Sequence, residues 1–323
     1  MLKSTPFPKI LAFIILLAVS LSFGMPSASA QSQASSGQIV GSVKDPQGAA
    51  VPNATVTVTN TATGLTQTLT SNQEGLFRAV LLPVGDYTVK VIAPGFGEFT
   101  QSGYKVEVGS SLDANVVLQV TAVTEVVQIT AATSVETTAV QSSATVGSVA
   151  ISELPINGRR FHDFVLLTPT ADQDPTRNQI TLAGQRGINT NIQIDGADYS
   201  NPFFGGIRGG ERSSFAPTFP QEAIREFQVV ASGFNAEFGR STGGFVNAVT
   251  KSGTNTWNGS GFFLSRPEDL AAKNAFGQIA SPTQHQYGGS FGGPLIKNKI
   301  FFLPSAEQQL FEQTRAVLFP LLA

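Results

Sequence analysis

The chain has 323 residues, of which 13% are charged, with a net charge of −2 and no cysteine. That balance gives no electrostatic footprint for nucleic acid, and the missing thiols exclude a disulfide framework, a cysteine nucleophile and cysteine-ligated metal. The 32 glycines and 18 prolines, set among threonine, serine and valine, predict a turn-rich, mainly β protein with room for two or three domains.

Residues 1–30 read as a Sec-type signal peptide. Lys3 and Lys9 make a basic start, Ile10–Phe23 is apolar, and Ala28-Ser29-Ala30 offers small residues for cleavage after Ala30. The apolar run is shorter than the ~20 residues a transmembrane helix needs. No later run reaches that length, so any membrane insertion must use β-strands.

Strict alternation follows. Gly37–Asp45 alternates up to the turn Asp45-Pro46-Gln47-Gly48, and Ala54–Asn60 alternates again with Val56 and Val58 on one face. Further runs at Leu65–Thr70, Gly75–Val80, Gly85–Ile92, Tyr104–Val108 and Asn115–Val120 make a set of about seven strands. Their short, regular spacing predicts an antiparallel β-sandwich over residues 37–119. The order Gly41, Val51, Pro52, Ala54, Val56 and then Gly75, Pro83, Gly85, Tyr87, Val89 resembles the carboxypeptidase regulatory-like domain. The resemblance implies a transthyretin-like, carbohydrate-binding-like fold and an accessory role on the periplasmic side. No histidine stands in the module, so neither a zinc site nor a catalytic dyad is expected there. Asp45, Glu74 and Asp86 fall in turns, where carboxylates commonly cap backbone N–H groups.

Between Val120 and Ser152 the chain is small and polar apart from one β-prone run, Glu125-Val126-Val127-Gln128-Ile129-Thr130-Ala131. An unpaired strand of this kind can be captured edge-on by a partner sheet through main-chain hydrogen bonds. The alternative is that it packs as the first strand of the next domain. Further on, Leu154-Pro155 precedes Asn157-Gly158-Arg159-Arg160, and Phe161–Leu167 reads as a short helix before Thr168-Pro169. Ile192 and Ile194 share a strand face that ends in the tight turn Asp195-Gly196. The loop Pro202–Gly210 is apolar, aromatic and glycine-rich; Phe203, Phe204 and Arg208 either face a substrate or belong to an ordinary loop. Glu222–Glu226 reads as a polar helix start running into Phe227–Val230, and Phe245–Thr250 reads as a strand after Gly243-Gly244.

The ordered string from Glu222 to Asn255, with Glu237, Phe238, Gly239, Arg240, Gly243, Gly244, Asn247 and Lys251-Ser252-Gly253, resembles the end of the plug domain in TonB-dependent outer-membrane receptors of the Oar-like branch. Three things follow from the resemblance. Residues 121–250 form an α+β plug. The run 125–131 is a TonB box, which makes TonB and its inner-membrane energising complex the partner. Arg186, Asp195, Glu237 and Arg240, charges set among apolar and glycine-rich neighbours, are expected to form plug-to-barrel ion pairs; separate solvated charges are the alternative.

From 251 the pattern is that of an outer-membrane barrel. Asn258–Arg266 and Gln286–Gly293 are short β runs, the second with Tyr287, Gly289, Phe291 and Gly293 on one face, as a lipid-facing strand requires. Lys297-Asn298-Lys299 makes a turn before Ile300–Leu303. After Leu303 the resemblance fades, and Pro304-Ser305-Ala306 is expected to end the strand. The residues from 251 to 323 are too few for even the smallest bacterial barrel, which has about 8 strands of roughly 9–11 residues. The sequence is therefore expected to be the N-terminal part of a receptor with an incomplete barrel, not competent for transport as written, whether from a truncated gene, an assembly fragment or a pseudogene. His162 and His285 lie in unrelated contexts without a nucleophile motif, so no catalytic residue, metal or cofactor is expected. The function implied is uptake of a bulky nutrient (oligosaccharide, siderophore or peptide) across the outer membrane. The alternative is a secreted carbohydrate-binding or adhesion protein built on the sandwich.

Overall fold

The structure is a computed structural model, and it describes residues 35–120, 142–154, 159, 161–174, 179–201, 203, 206, 219–234, 238–272 and 283–312. It is mainly β. The run Glu125–Ala131, with Glu237, Phe204 and Arg208, lies outside the described residues.

Residues 36–117 form a β-sandwich. Its strands are β1 (Ser36–Lys44), β2 (Thr55–Asn60), β3 (Thr66–Thr70), β4 (Leu76–Pro83), β5 (Gly85–Ile92), β6 (Phe99–Val106), β7 (Ser111–Asp113) and β8 (Val116–Val117). One sheet runs β3-β2-β5-β6, all antiparallel; the other runs β4-β1-β7, with β8 also on β1. β7 and β8 pair parallel to β1, so the second sheet is mixed, where alternation alone predicts an antiparallel one. The period-2 pattern fixes which face a residue occupies; it carries no information on strand direction. The direction comes from the Glu107–Ser110 turn, where Gln38 N–H bonds Ser110 O and Gly109 N–H bonds Ser36 O, delivering the chain alongside β1.

The sandwich core is the inward set that alternation predicts: Ile39 and Val43, Val56 and Val58, Phe77 and Ala79, Tyr87, Val89 and Val91, all buried. The phase slips once. Between Gly37↔Leu82 and Ile39↔Ala79, two residues of β4 oppose one of β1, and Leu81 takes a φ of 56°. This β-bulge turns Leu82 rather than Leu81 inward. The Tyr87 hydroxyl donates to Pro83 O at 2.7 Å and ties the β4–β5 turn to the core. Asp45 Oδ1 accepts from the N–H groups of Gln47 and Ala49, a turn cap.

The second unit is a five-stranded sheet in the order β13-β12-β15-β14-β9, from β9 (Ser142–Val146), β12 (Asn191–Ile194), β13 (Ala197–Asp198), β14 (Ile224–Ser232) and β15 (Phe245–Thr250). A hairpin of β10 (Ala171–Gln173) and β11 (Ile180–Leu182), helix α1 (Ser148–Glu153) and a 3-10 turn at Phe161–Leu167 accompany it. Phe164, Val165, Ile180 and Leu182 join Ile192, Phe227, Val229, Val246 and Ala248 in its core. The helix start expected at Glu222–Glu226 is not there. One 3-10 turn, Gln221–Ala223, leads directly into β14. Six consecutive residues of β14, Phe227 among them, are buried, and Val229 and Val230 are β-branched. A run covered on both faces favours a strand over a helix's 3.6-residue stripe.

The third sheet comprises β16 (Asn258–Arg266), β17 (Thr283–Ile296), β18 (Ile300–Phe302) and β19 (Ser305–Glu312), in the order β16-β17-β18 with β19 also on β17; among the described residues it is an open sheet. Phe263, Tyr287 and Phe291 are exposed on it. β18 ends before Pro304, as the sequence implies, but pairing resumes directly after it. β19 pairs with β17 from Ser290↔Ser305 to Thr283↔Glu312, and the proline serves as a break between β18 and β19 while its carbonyl accepts from Phe291 N–H. Trp257 stacks on Phe291 with centroids 5.4 Å apart, meets Phe302 edge-on at 5.6 Å, and covers Gly293, where a Cβ would come within 2.6 Å of the indole.

Since the sandwich core closes within residues 37–119, that segment expressed alone should show β-type circular dichroism and a cooperative melt. Tyr87→Phe in it should lower stability by about 1 kcal/mol through the lost bond to Pro83. A disordered spectrum at neutral pH would refute the claim of independent folding.

Candidate functional site

Arg159 stands where the five-stranded sheet meets the third sheet. It adopts a φ of 48°, and its side chain is only 14% exposed. Nη2 donates to Glu222 Oε1 at 2.7 Å, Nε lies 3.4 Å from Glu307 Oε1, and the guanidinium carbon sits 3.7 Å from the centroid of the Phe262 ring. Glu222 belongs to the 3-10 turn before β14, Phe262 to β16 and Glu307 to β19, so one cation binds three elements together. The other carboxylate oxygen of Glu222 accepts from Ser260 Oγ of β16 at 2.7 Å and lies 3.7 Å from Lys251 Nζ. The turn itself is anchored by Gln221, whose Nε2 donates to Ile151 O of α1 at 2.8 Å.

Burial opposes ionisation of Glu222, but the Ser260 hydrogen bond and the Lys251 and Arg159 charges outweigh it and hold the carboxyl below the usual carboxylate range. A depressed carboxyl contributes stability that is present above its unfolded value and is lost as pH falls through the folded one. Truncating Arg159 would leave Glu222 and Glu307 facing each other in a site with little water.

Of the four charges expected to bridge plug and barrel, Glu237 lies outside the described residues and the other three are placed otherwise. Arg240 pairs with Asp198, inside the five-stranded sheet. Asp195, at φ 50° in its turn, accepts from Thr250 N–H at 2.9 Å and Thr250 Oγ1 at 2.8 Å, fastening the end of β12 to the end of β15. Arg186 is exposed, ahead of the turn Gly187–Asn189. The residues that do join the two sheets are Arg159, Glu222 and Glu307. Glu222 opens the string that carries the resemblance and Arg159 stands in the Asn157–Arg160 run ahead of it, so the sequence drew notice to both places. Glu307 lies past Leu303 and carried none. Phe203 is 82% exposed and borders a cavity of about 90 Å³ with Thr190, Asn191, Ser200, Asp198 and Arg240. His285 Nδ1 lies 3.1 Å from Ser265 Oγ across the β16–β17 pair.

Residues 38–119 match the carboxypeptidase regulatory-like domain and residues 249–322 match an outer membrane beta barrel domain, so the barrel likeness continues beyond Leu303. Over 292 residues the chain is 29% identical to the TonB-dependent transporter Oar of Myxococcus xanthus, a transporter rather than an enzyme, with 83% of this chain covered. The chain spans about a quarter of that relative, 26% of its length. Among solved structures it is similar to the siderophore receptor PirA from Pseudomonas aeruginosa (22% identity, TM-score 0.40, 53% of this chain and 28% of that one) and from Acinetobacter baumannii (24%, 0.41, 52% and 24%).

Arg159→Ala should destabilise the unit by about 3–5 kcal/mol, as breaking a buried ion pair does. Arg159→Lys should recover only part of this, because a point charge cannot reach both carboxylates as a guanidinium fork does. Denaturant melts of the two variants check this, and equal stability of wild type and Arg159→Ala would remove the cluster from any structural role.

Proposed function

We propose that the chain forms the periplasm-facing sandwich, the plug and the first barrel strands of a TonB-dependent transporter for a bulky nutrient, exported by the signal peptide of residues 1–30. The observation that carries this reading is the Arg159–Glu222–Glu307 cluster. It fixes a compact mixed sheet against barrel-type strands through buried charge, which is what a plug needs: one specified seating whose charges can exchange partners when force arrives. In this reading residues 121–250 are the plug. TonB takes hold of Glu125–Ala131 as an added strand, and the pull shifts the plug to admit the substrate. The exposed Phe203 and the small polar cavity beside it, with Arg240 and Asp198 at its edge, are the surface that meets that substrate. The substrate belongs to the oligosaccharides, siderophores or peptides.

The reading is tested in the receptor carrying its whole barrel. Val127→Pro removes a backbone donor and fixes φ, so a strand held edge-on loses a main-chain bond or its register. Energised uptake, measured against a panel of labelled oligosaccharides, ferric siderophores and oligopeptides, should be abolished. Binding to de-energised cells and outer-membrane insertion should be unchanged. Uptake at the unmutated rate would place the coupling segment elsewhere, and loss of binding together with uptake would make these residues part of the plug sheet.

A further inference from the structure

The sandwich is seated on the five-stranded sheet by a second, unrelated set of contacts. Val108, two residues beyond β6, donates its N–H to Glu226 Oε1 of β14 at 2.5 Å. Val84 and Val108 of the sandwich bury against Val249 of β15 as a separate apolar cluster. Gly109 has a φ of 69° and brings its backbone so near β14 that a Cβ would lie 2.7 Å from Gln228 Nε2. At the rim, Asn255 N–H donates to Ala62 O at 2.9 Å. Glu226 is 3% exposed, and the seat closes over it.

From this geometry we infer that the sandwich is a docked domain whose seat on the five-stranded sheet is strengthened and weakened by proton exchange at Glu226. The inference is independent of the transport reading. The groups that face Glu226 from the sandwich are Glu107, a like charge, and Lys105, which is itself bound to Glu107 at 2.9 Å; Arg225 adds a positive charge from its own strand. Its cross-strand neighbour on β15 is the apolar Val249. Burial pushes the Glu226 carboxyl up to about 7, with the Glu107 charge in the same sense and the Val108 hydrogen bond, Arg225 and Lys105 opposing.

The sign follows. A carboxyl raised above its ordinary value in the docked state favours docking at acid pH, where it holds its proton. That advantage declines as pH rises from the undocked value of 4.5 through about 7. With the carboxyl ordinary when undocked, the docking constant falls by roughly two orders of magnitude across that interval. The Val108 bond survives protonation, since either form of the carboxyl retains an acceptor oxygen.

The test exploits the absence of native cysteine. Thr68→Cys on the sandwich and Asp172→Cys on β10, both at exposed positions, carry a donor and an acceptor dye on the full chain in detergent micelles. Transfer efficiency should fall between pH 5 and 8 in the otherwise native chain. Glu226→Gln keeps an acceptor oxygen without a charge and should hold the acid-side efficiency throughout. Gly109→Leu, which forces a side chain into Gln228, should give low efficiency at both ends. A flat titration of the native chain would overturn the inference, even if Glu226→Gln failed to fold. A Glu226→Gln titration that matches the native one would overturn it too, as would full efficiency in Gly109→Leu.

Discussion

A guanidinium removed from water must be met by anions that are themselves held in place, and this requirement organises the junction at Arg159. Its two carboxylate partners come from elements far apart in sequence, the turn before β14 and the strand β19. Once Glu222 is committed, Ser260 and Lys251 are drawn in around its second oxygen, and Gln221 beside it reaches α1. Buried ion pairs are weak sources of net stability but severe on misplacement, because any other register leaves a charge unpaired. The cluster thus selects one seating of the inner sheet against the outer strands more than it strengthens that seating.

The inner sheet is joined to its two neighbours by different physics. Toward the third sheet the contact is ionic, with an aromatic face under the cation. Toward the sandwich it is mostly apolar, with a carboxyl buried among valines. Solvent ions and water compete with the first kind of joint, and protons with the second. The sheet that carries both joints has central strands covered on both faces, so it behaves as a packed body rather than a deformable hinge.

The sandwich was legible in the sequence because its strands are buried on one face and so alternate; Val56 and Val58, Tyr87 and Val89 appear where period 2 puts them. The parallel pairing of β7 and β8 was not legible, since alternation is blind to direction. In the inner sheet the signal weakened: β14 is buried on both faces, and without alternation its polar N-terminal end reads as a helix start. The ion pairs failed for another reason. Charged residues in a glycine-rich context can be listed from sequence, but which of them meet depends on long-range register. Asp195 and Arg240 found partners within the inner sheet itself, whereas Glu307 lies on a strand that Pro304 disguised.

Trp257 is the one tryptophan in the chain, and it lies between the connector that leaves β15 and the aromatic rings of Phe291 and Phe302. Its indole replaces any side chain at Gly293, so the fit admits little change on either side. The near-ultraviolet emission of this protein is consequently a local optical signal. It is silent about the sandwich and the inner sheet, and it brightens, quenches or shifts only as the first strands of the outer sheet close around or part from that single ring.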